Sequence, residues 1–186
     1  VQVIGTGFLL KDYERGEFNC SWQEWLDYSI GEVFESDLPA KLQILSTQES
    51  DRALRFIEAI KEWKFQPALT HANLVPKNLI ISPSGEASVI DWGTALAQRV
   101  PHGELAETFV WEPGEPFIQA FLEGYGLTND ELHRIREDVA KLELLRIFDS
   151  VRWAEINMPE RVQDYSNLAR KKFDRFLGKD RGLRTT

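Results

Sequence analysis

The stretch Leu69-Thr70-His71-Ala72-Asn73-Leu74-Val75-Pro76-Lys77-Asn78-Leu79-Ile80-Ile81, followed closely by Val89-Ile90-Asp91-Trp92-Gly93, decides the fold. Leu79–Ile81 and Ala87–Ile90 are short β-branched runs, and Ser82-Pro83-Ser84-Gly85 between them is a turn sequence. The three together read as a small hairpin. Flanking it is a dense cluster of polar residues in an apolar setting. Two asparagines five apart on a tight loop, Asn73 and Asn78, and an aspartate at a strand end, Asp91, can converge on one metal–phosphate site. An amide oxygen and a carboxylate are the hard donors that Mg²⁺ takes. With a polar group placed beside an incoming hydroxyl, they make up the parts that phosphoryl transfer requires.

Outward from the hairpin the chain reads as helical. Ser21 with Glu24, Ser46 with Glu49 and Thr128 with Glu131 are three capping boxes, each satisfying two orphan backbone donors. The first opens a helix carrying Trp22, Trp25, Leu26, Ile30 and Val33 at helical spacing. The second opens a helix with Ala53, Leu54, Ile57, Ile60 and Trp63 on one stripe, which Pro67 stops. The third launches a long helix through Ile135, Val139, Leu142, Leu145 and Phe148. Between them Phe117, Ala120, Phe121 and Tyr125 form an apolar face ended by Gly124 and Gly126. A last helix, about 160–177, ends in Lys171, Lys172, Arg175 and Gly178, cations suited to a carboxyl end. Residues 1–21, with Gly5, Gly7 and Gly16, read as an irregular or hairpin-like entry. The fold class is mainly α with a small β-hairpin (α+β).

Composition excludes several functions. The chain of 186 residues carries a net charge of −8, which argues against binding the phosphate backbone of nucleic acid and favours a cationic small molecule or partner. No apolar run approaches the ~18 residues that span a bilayer, so no membrane partner is expected. The single cysteine, Cys20, excludes an internal disulfide framework and a Cys-rich zinc site, suits a reducing cytoplasm and reads as a small inert side chain. Val1-Gln2-Val3-Ile4-Gly5 has no basic n-region and no initiator Met; it does not read as a signal peptide and reads as the start of a fragment or of a trimmed chain.

The segment His71-Ala72-Asn73-Leu74-Val75-Pro76-Lys77-Asn78 resembles the His-x-Asp-x-x-x-x-Asn catalytic loop of the aminoglycoside phosphotransferase and choline kinase-like families, relatives of the protein kinases. Ile90-Asp91-Trp92-Gly93 resembles their metal-binding Asp motif. Pro101-His102-Gly103-Glu104-Leu105-Ala106 resembles the Pro-x-x-Asp-Leu-Ala segment. Phe121-Leu122-Glu123-Gly124-Tyr125 and Ser21-Trp22-Gln23-Glu24-Trp25 sit where such proteins carry similar words. The resemblance implies that 1–186 is one protein-kinase-like carboxyl-terminal lobe, lacking the amino-terminal lobe and belonging to a longer chain. It implies a full-length protein that uses ATP and Mg²⁺ to phosphorylate a hydroxyl of an amino sugar, amino alcohol or similar small molecule.

The resemblance also assigns roles. His71 braces the loop, and Glu104 is the buried carboxylate that orients it. Asn78 and Asp91 are the metal ligands; taken singly, one caps a turn and the other ends a strand. Lys77 is a candidate for phosphate contact, beside its plainer reading as a solvated lysine. Asn73 occupies the catalytic Asp position, against a reading in which it only caps its own loop. A neutral amide cannot act as a base, and losing a general base typically costs ~10²–10⁴-fold in rate. No Gly-x-Gly-x-x-Gly stretch occurs in the sequence. The 186 residues alone are therefore expected to phosphorylate nothing efficiently and to bind no nucleotide tightly. The alternative is a catalytically dead, pseudokinase-like binding module. Trp111, Glu112, Glu115 and Glu123 line a groove for a cation or form a solvated acidic face. His102 and His133 read as surface residues, and the six tryptophans mostly as core. A cleft edge left open by the missing lobe would favour a homodimer.

Overall fold

The computed structural model describes residues 6–12 and 17–178. The chain divides into two compact units. One is built from the chain up to Trp25 together with Glu62–Glu143, the other from Leu26–Lys61 and the chain from Leu144 onward.

The first unit holds all of the described strands. β1 (Thr6–Asp12) and β2 (Glu17–Cys20) form an antiparallel hairpin with irregular register. β6 (Leu96–Gln98) pairs with β1 on one side and with β3 (Ala68–Thr70) on the other, both antiparallel, giving the order β2-β1-β6-β3. β4 (Leu79–Ile81) and β5 (Ala87–Val89) make a separate two-stranded hairpin with Leu79 opposite Val89. Its turn closes through Gly85 N–H to Ser82 O at 2.9 Å, with Gly85 in the left-handed region at φ 85°. The helices of this unit are the start of α1 (Trp22–Ile30), α4 (His102–Phe109), α5 (Glu115–Tyr125) and the first half of α6 (Asn129–Asn157). Trp22 is buried and stacks on Trp25 and Trp63 at 5.1 and 5.7 Å, with Phe65 edge-on at 5.2 Å.

The second unit is helical. The rest of α1 runs into a widened π turn, Gly31–Glu35, followed by α2 (Leu38–Lys41), α3 (Thr47–Glu58), the second half of α6 and α7 (Val162–Leu177). Its core joins Leu26, Val33, Ile57, Leu144, Ile147, Phe148 and Phe173, all of them sealed from solvent. Phe34 meets Phe148 edge-to-face at 5.6 Å.

All three capping boxes form. Ser21, Ser46 and Thr128 each donate a backbone N–H to the carboxylate three residues on, at 2.7, 2.9 and 2.9 Å, and each hydroxyl accepts the return bond. The central hairpin and the long helix stand where the pattern puts them.

Other expectations change. The helix expected to run to Pro67 ends at Glu58, because the chain tightens into a turn with Ile60 N–H on Ile57 O and Lys61 N–H on Glu58 O. Trp63 therefore lies beyond it. Gly124 lies inside α5, whose end is Gly126 at φ 77°. None of α5's apolar residues is fully buried. Of the cations expected at the carboxyl end of the last helix, Arg175 lies in the last turn of α7, whereas Lys172 lies before it and is fully buried. His102 is buried in the first turn of α4, not on the surface, whereas His133 is exposed. Trp92 and Trp153 are about half exposed, not core. No sequence pattern marks β3 and β6, since three residues are too few to show alternation. Gly5 and Gly16 of the expected entry turn, and the side chain of Cys20, lie outside the described residues.

Candidate functional site

β3 delivers the chain to the loop. Thr70 pairs with Leu96 across the sheet, and the next residue, His71, starts the turn. The loop closes on itself through Asn73. The Asn73 carbonyl accepts the Val75 N–H at 3.0 Å and the Asn78 Nδ2–H at 2.9 Å. Pro76–Asn78 forms a single 3₁₀ turn, and Asn78 N–H returns to Val75 O at 2.9 Å. Proline favours this start because its missing N–H is one that a helix leaves unpaired anyway.

The hairpin ladder then runs one pair past its strands. Ile90 N–H donates to Asn78 O at 3.0 Å, and His71 Nε2 donates to Ile90 O at 2.8 Å. The Ile90 peptide is thus held from both sides, by the first and last residues of the loop. Asp91 follows at φ 63°, in the left-handed region. That conformation is rare for residues with a Cβ, and Asp tolerates it better than most. It turns the chain at the end of the hairpin where Asn78 sits. Trp92 Nε1 donates to Val89 O at 3.1 Å, and the indole packs edge-on against His71 at 4.8 Å. Thr94 Oγ1 adds a bond to His71 O at 3.3 Å.

Glu104 anchors the other side of the loop. Its Oε2 accepts His71 N–H at 2.9 Å, Oε1 is buried without a hydrogen-bond partner, and the neighbouring Ala72 amide also acts on its pKa. Ala72 lies at φ 59°. A left-handed residue lets successive N–H groups converge on one anion, which accounts for a non-glycine residue adopting that conformation here. Glu104 is only 6% exposed. Burial raises its pKa above the ordinary carboxylate value, and the Ala72 and His71 amides offset only part of that. Tyr125 on α5 lies close enough to feel this charge. Its phenol is raised by burial first and by Glu104 second.

His71 is 4% exposed, bonded through backbone and ring, and acts as a brace. Asn73 is half-buried, and its carboxamide makes no hydrogen bond among the described residues; the loop is closed by its backbone carbonyl instead. Asn78 is 3% exposed and spends Nδ2 on the loop, which leaves Oδ1 as its metal-competent atom. Asp91 and Lys77 are exposed, and neither makes an ion pair among the described residues. Glu104, one methylene longer than aspartate, still reaches the loop amides. The Ile90 carbonyl, Thr94 and the left-handed Ala72 carry no signal in the sequence. Trp92 does carry one, as the aromatic beside Asp91.

No group of three or more His, Cys, Asp or Glu side chains that could hold a metal occurs among the described residues. A magnesium site made from Asn78 and Asp91 would supply two oxygens, fit that cation's hard-donor preference and leave room for phosphate oxygens and water.

No protein-family model matches the chain, and no curated protein matches it. Solved structures do. An apo thermostable mutant of aminoglycoside phosphotransferase APH(4)-Ia aligns with a TM-score of 0.69 at 17% identity, over 98% of this chain and 60% of that one. A second structure of APH(4)-Ia gives 0.67 at 17% identity, covering 94% and 57%. A ternary complex of the thermostable enzyme with ADP and hygromycin B gives 0.64 at 16% identity, covering 98% and 59%. The chain spans about 60% of the length of these structures. At such identities the likeness establishes the fold alone, a mainly helical one with a small antiparallel sheet that matches part of APH(4)-Ia.

Proposed function

We propose that the chain is the carboxyl lobe of an ATP-dependent small-molecule phosphotransferase, inactive or nearly so as it stands. One observation carries this reading. The Ile90 peptide is gripped by His71 and Asn78, so Asn78 and Asp91 share one end of the hairpin while the Asn73 carboxamide is left unengaged. The solved structures of similar fold include complexes with ADP or AMP-PNP and hygromycin B, an ATP-type nucleotide and an aminoglycoside. They support a nucleotide and a hydroxyl-bearing, cationic acceptor for this fold.

In this reading Asn78 Oδ1 and the Asp91 carboxylate hold Mg²⁺, which when bound neutralises charge on the phosphates. Asn73 faces the acceptor hydroxyl. It orients that hydroxyl by hydrogen bonding but cannot take its proton. His71, Glu104 and Trp92 keep the loop and the Asp91 turn in register. Lys77, exposed beside Asn78, is the candidate for phosphate contact. The single cysteine suits a cytoplasmic location, where ATP is at hand.

A second reading has its own observation. Asn73 replaces the general base, which favours a pseudokinase-like module that binds and no longer transfers. Asn73→Asp in the full-length protein separates the two. ATP turnover followed across a panel of hydroxylated amines should rise by about 10²–10⁴-fold if the position is catalytic. Mg²⁺-dependent nucleotide binding without any gain in turnover selects the module. Absence of such binding in both forms removes the metal assignment and the enzyme with it.

Ile80 and Ile81 on the hairpin, Ile90 and Trp92 just after it, and Leu69 on β3 expose much of their apolar surface. These residues support a homodimer of the isolated chain. Light scattering should give twice the monomer mass, falling to monomer in Ile81→Lys.

A further inference from the structure

Thr70, the last residue before the loop, is 4% exposed and uses its hydroxyl twice. Thr70 Oγ1 donates to Leu96 O at 3.0 Å and accepts Gln98 Nε2–H at 2.8 Å. Ala68 is the register partner of Gln98, so the glutamine reaches diagonally along one face of the sheet to Thr70. Gln98 is itself 4% exposed. Its carboxamide lies over the first turn of α4, in the space that a Cβ on Gly103 would occupy. The residue after Gly103 is Glu104, which accepts the His71 N–H and lies beside the Ala72 amide.

We propose that Gln98 is a positioning residue for the loop, wedged between Thr70 and Gly103 so that β3 and the Glu104 carboxylate are set to a fixed spacing. Gly103 is glycine because the Gln98 carboxamide takes the volume of its side chain. The end of a glutamine could swing away from an added methyl group in open surroundings. Here it is buried and committed to Thr70, so any swing breaks that bond. Gly103→Ala therefore acts through Gln98, and its effect and that of Gln98→Ala are one effect reached from two sides. That the loop serves a nucleotide rests on the reading above, but amide exchange in this chain requires no nucleotide, so the two ideas fail separately.

The test is residue-resolved hydrogen exchange on the 186-residue chain. Gln98→Ala and Gly103→Ala should each speed exchange at the His71 and Ala72 amides by about tenfold, leaving Leu144–Phe148 unchanged. The double variant should be no worse than Gln98→Ala alone. Thr70→Val, which keeps shape and loses the hydroxyl, should reproduce the change, and Thr70→Ser should retain native protection. Additive losses in the double variant, acceleration spread evenly over the chain, or unchanged exchange at His71 and Ala72 overturns the proposal. Should Gly103→Ala fail to fold, the double variant must fold; its failure as well would overturn it.

Discussion

Glu104 accepts the backbone N–H of His71 at 2.9 Å across 33 residues of sequence, with the Ala72 amide beside the same buried carboxylate. Burial prevails over these two amides and raises the pKa, so the folded chain holds that proton more tightly than the unfolded chain does. Stability from this group is complete below its ordinary value of 4.5 and is lost as pH rises through the raised folded value. Glu104→Gln cannot titrate. The stability of the native chain relative to that variant should therefore fall with rising pH above 4.5, as read from urea midpoints along a pH series. Glu104→Ala strands the buried His71 N–H and should cost about 1–3 kcal/mol. A difference between the native chain and Glu104→Gln that stays flat across the series contradicts the assignment.

Glu49 behaves in the opposite sense. The Arg170 side-chain bond, then the Ser46 backbone bond, hold it down to about 2 from an ordinary 4.5. Arg170 Nη1 meets Glu49 at 3.0 Å while Nη2 meets Asp174 at 2.7 Å. A lowered folded pKa gives stability that is present above 4.5 and lost as pH falls toward 2. Both side chains are substantially exposed, so solvent screening keeps the effect small. Arg170→Ala should cost about 1 kcal/mol near neutral pH. Its penalty should shrink below pH 4.5, measured by thermal melts in acid.

His102 shows what the sequence could not convey. Nothing in Pro101-His102-Gly103 distinguishes a surface imidazole from a buried one, because burial here is decided by neighbours brought from elsewhere. Trp63 packs edge-on against the ring at 5.4 Å, and Arg99 lies over Trp63 at 4.2 Å. The capping boxes, by contrast, are local, three residues wide and made of side chains that bond their own backbone, so they are legible. Asn73, Asn78 and Asp91 are legible as spacing, and His71 and Glu104 through the resemblance of their segments to the family motifs. What holds them is not: the Ile90 carbonyl, the left-handed Ala72 and the Gln98 wedge are backbone or close-packing facts with no residue signature. β3 and β6 escape for the same reason, as three-residue strands made by pairing rather than by pattern.

The buried His102 makes a prediction of its own. Burial first, and the Arg99 charge second, lower its pKa from 6.5 to about 4, with Asp138 at 3.9 Å pulling the other way. The stability it contributes is complete above 6.5 and falls away as pH drops toward 4. His102→Phe keeps the ring against Trp63 and cannot be protonated. Denaturant midpoints of the native chain should decline between pH 6.5 and 4 relative to His102→Phe. Parallel curves over that window would show that His102 does not titrate there.

Asp91 offers the cleanest test of the metal reading, because charge and conformation can be separated at this position. It is exposed, and its backbone sits at φ 63°, a region that asparagine tolerates as readily as aspartate. Asp91→Asn should thus leave folding stability within about 0.5 kcal/mol. The same change removes the one carboxylate of the proposed pair and should weaken Mg²⁺-dependent nucleotide binding by the full-length protein at least about tenfold, a loss of ~1.4 kcal/mol. Asn78→Ala differs in kind. It deletes the Nδ2 bond to Asn73 O along with the metal-competent oxygen, so it should weaken binding and also cost about 1 kcal/mol of stability. In the 186-residue chain by itself, two oxygen donors fall well short of the octahedron that Mg²⁺ demands. Calorimetry should accordingly detect little ATP binding. Micromolar affinity in the isolated chain would refute the view that a further lobe supplies most of the nucleotide binding, and an Asp91→Asn protein that binds Mg²⁺–ATP as well as its parent would remove Asp91 from the metal site.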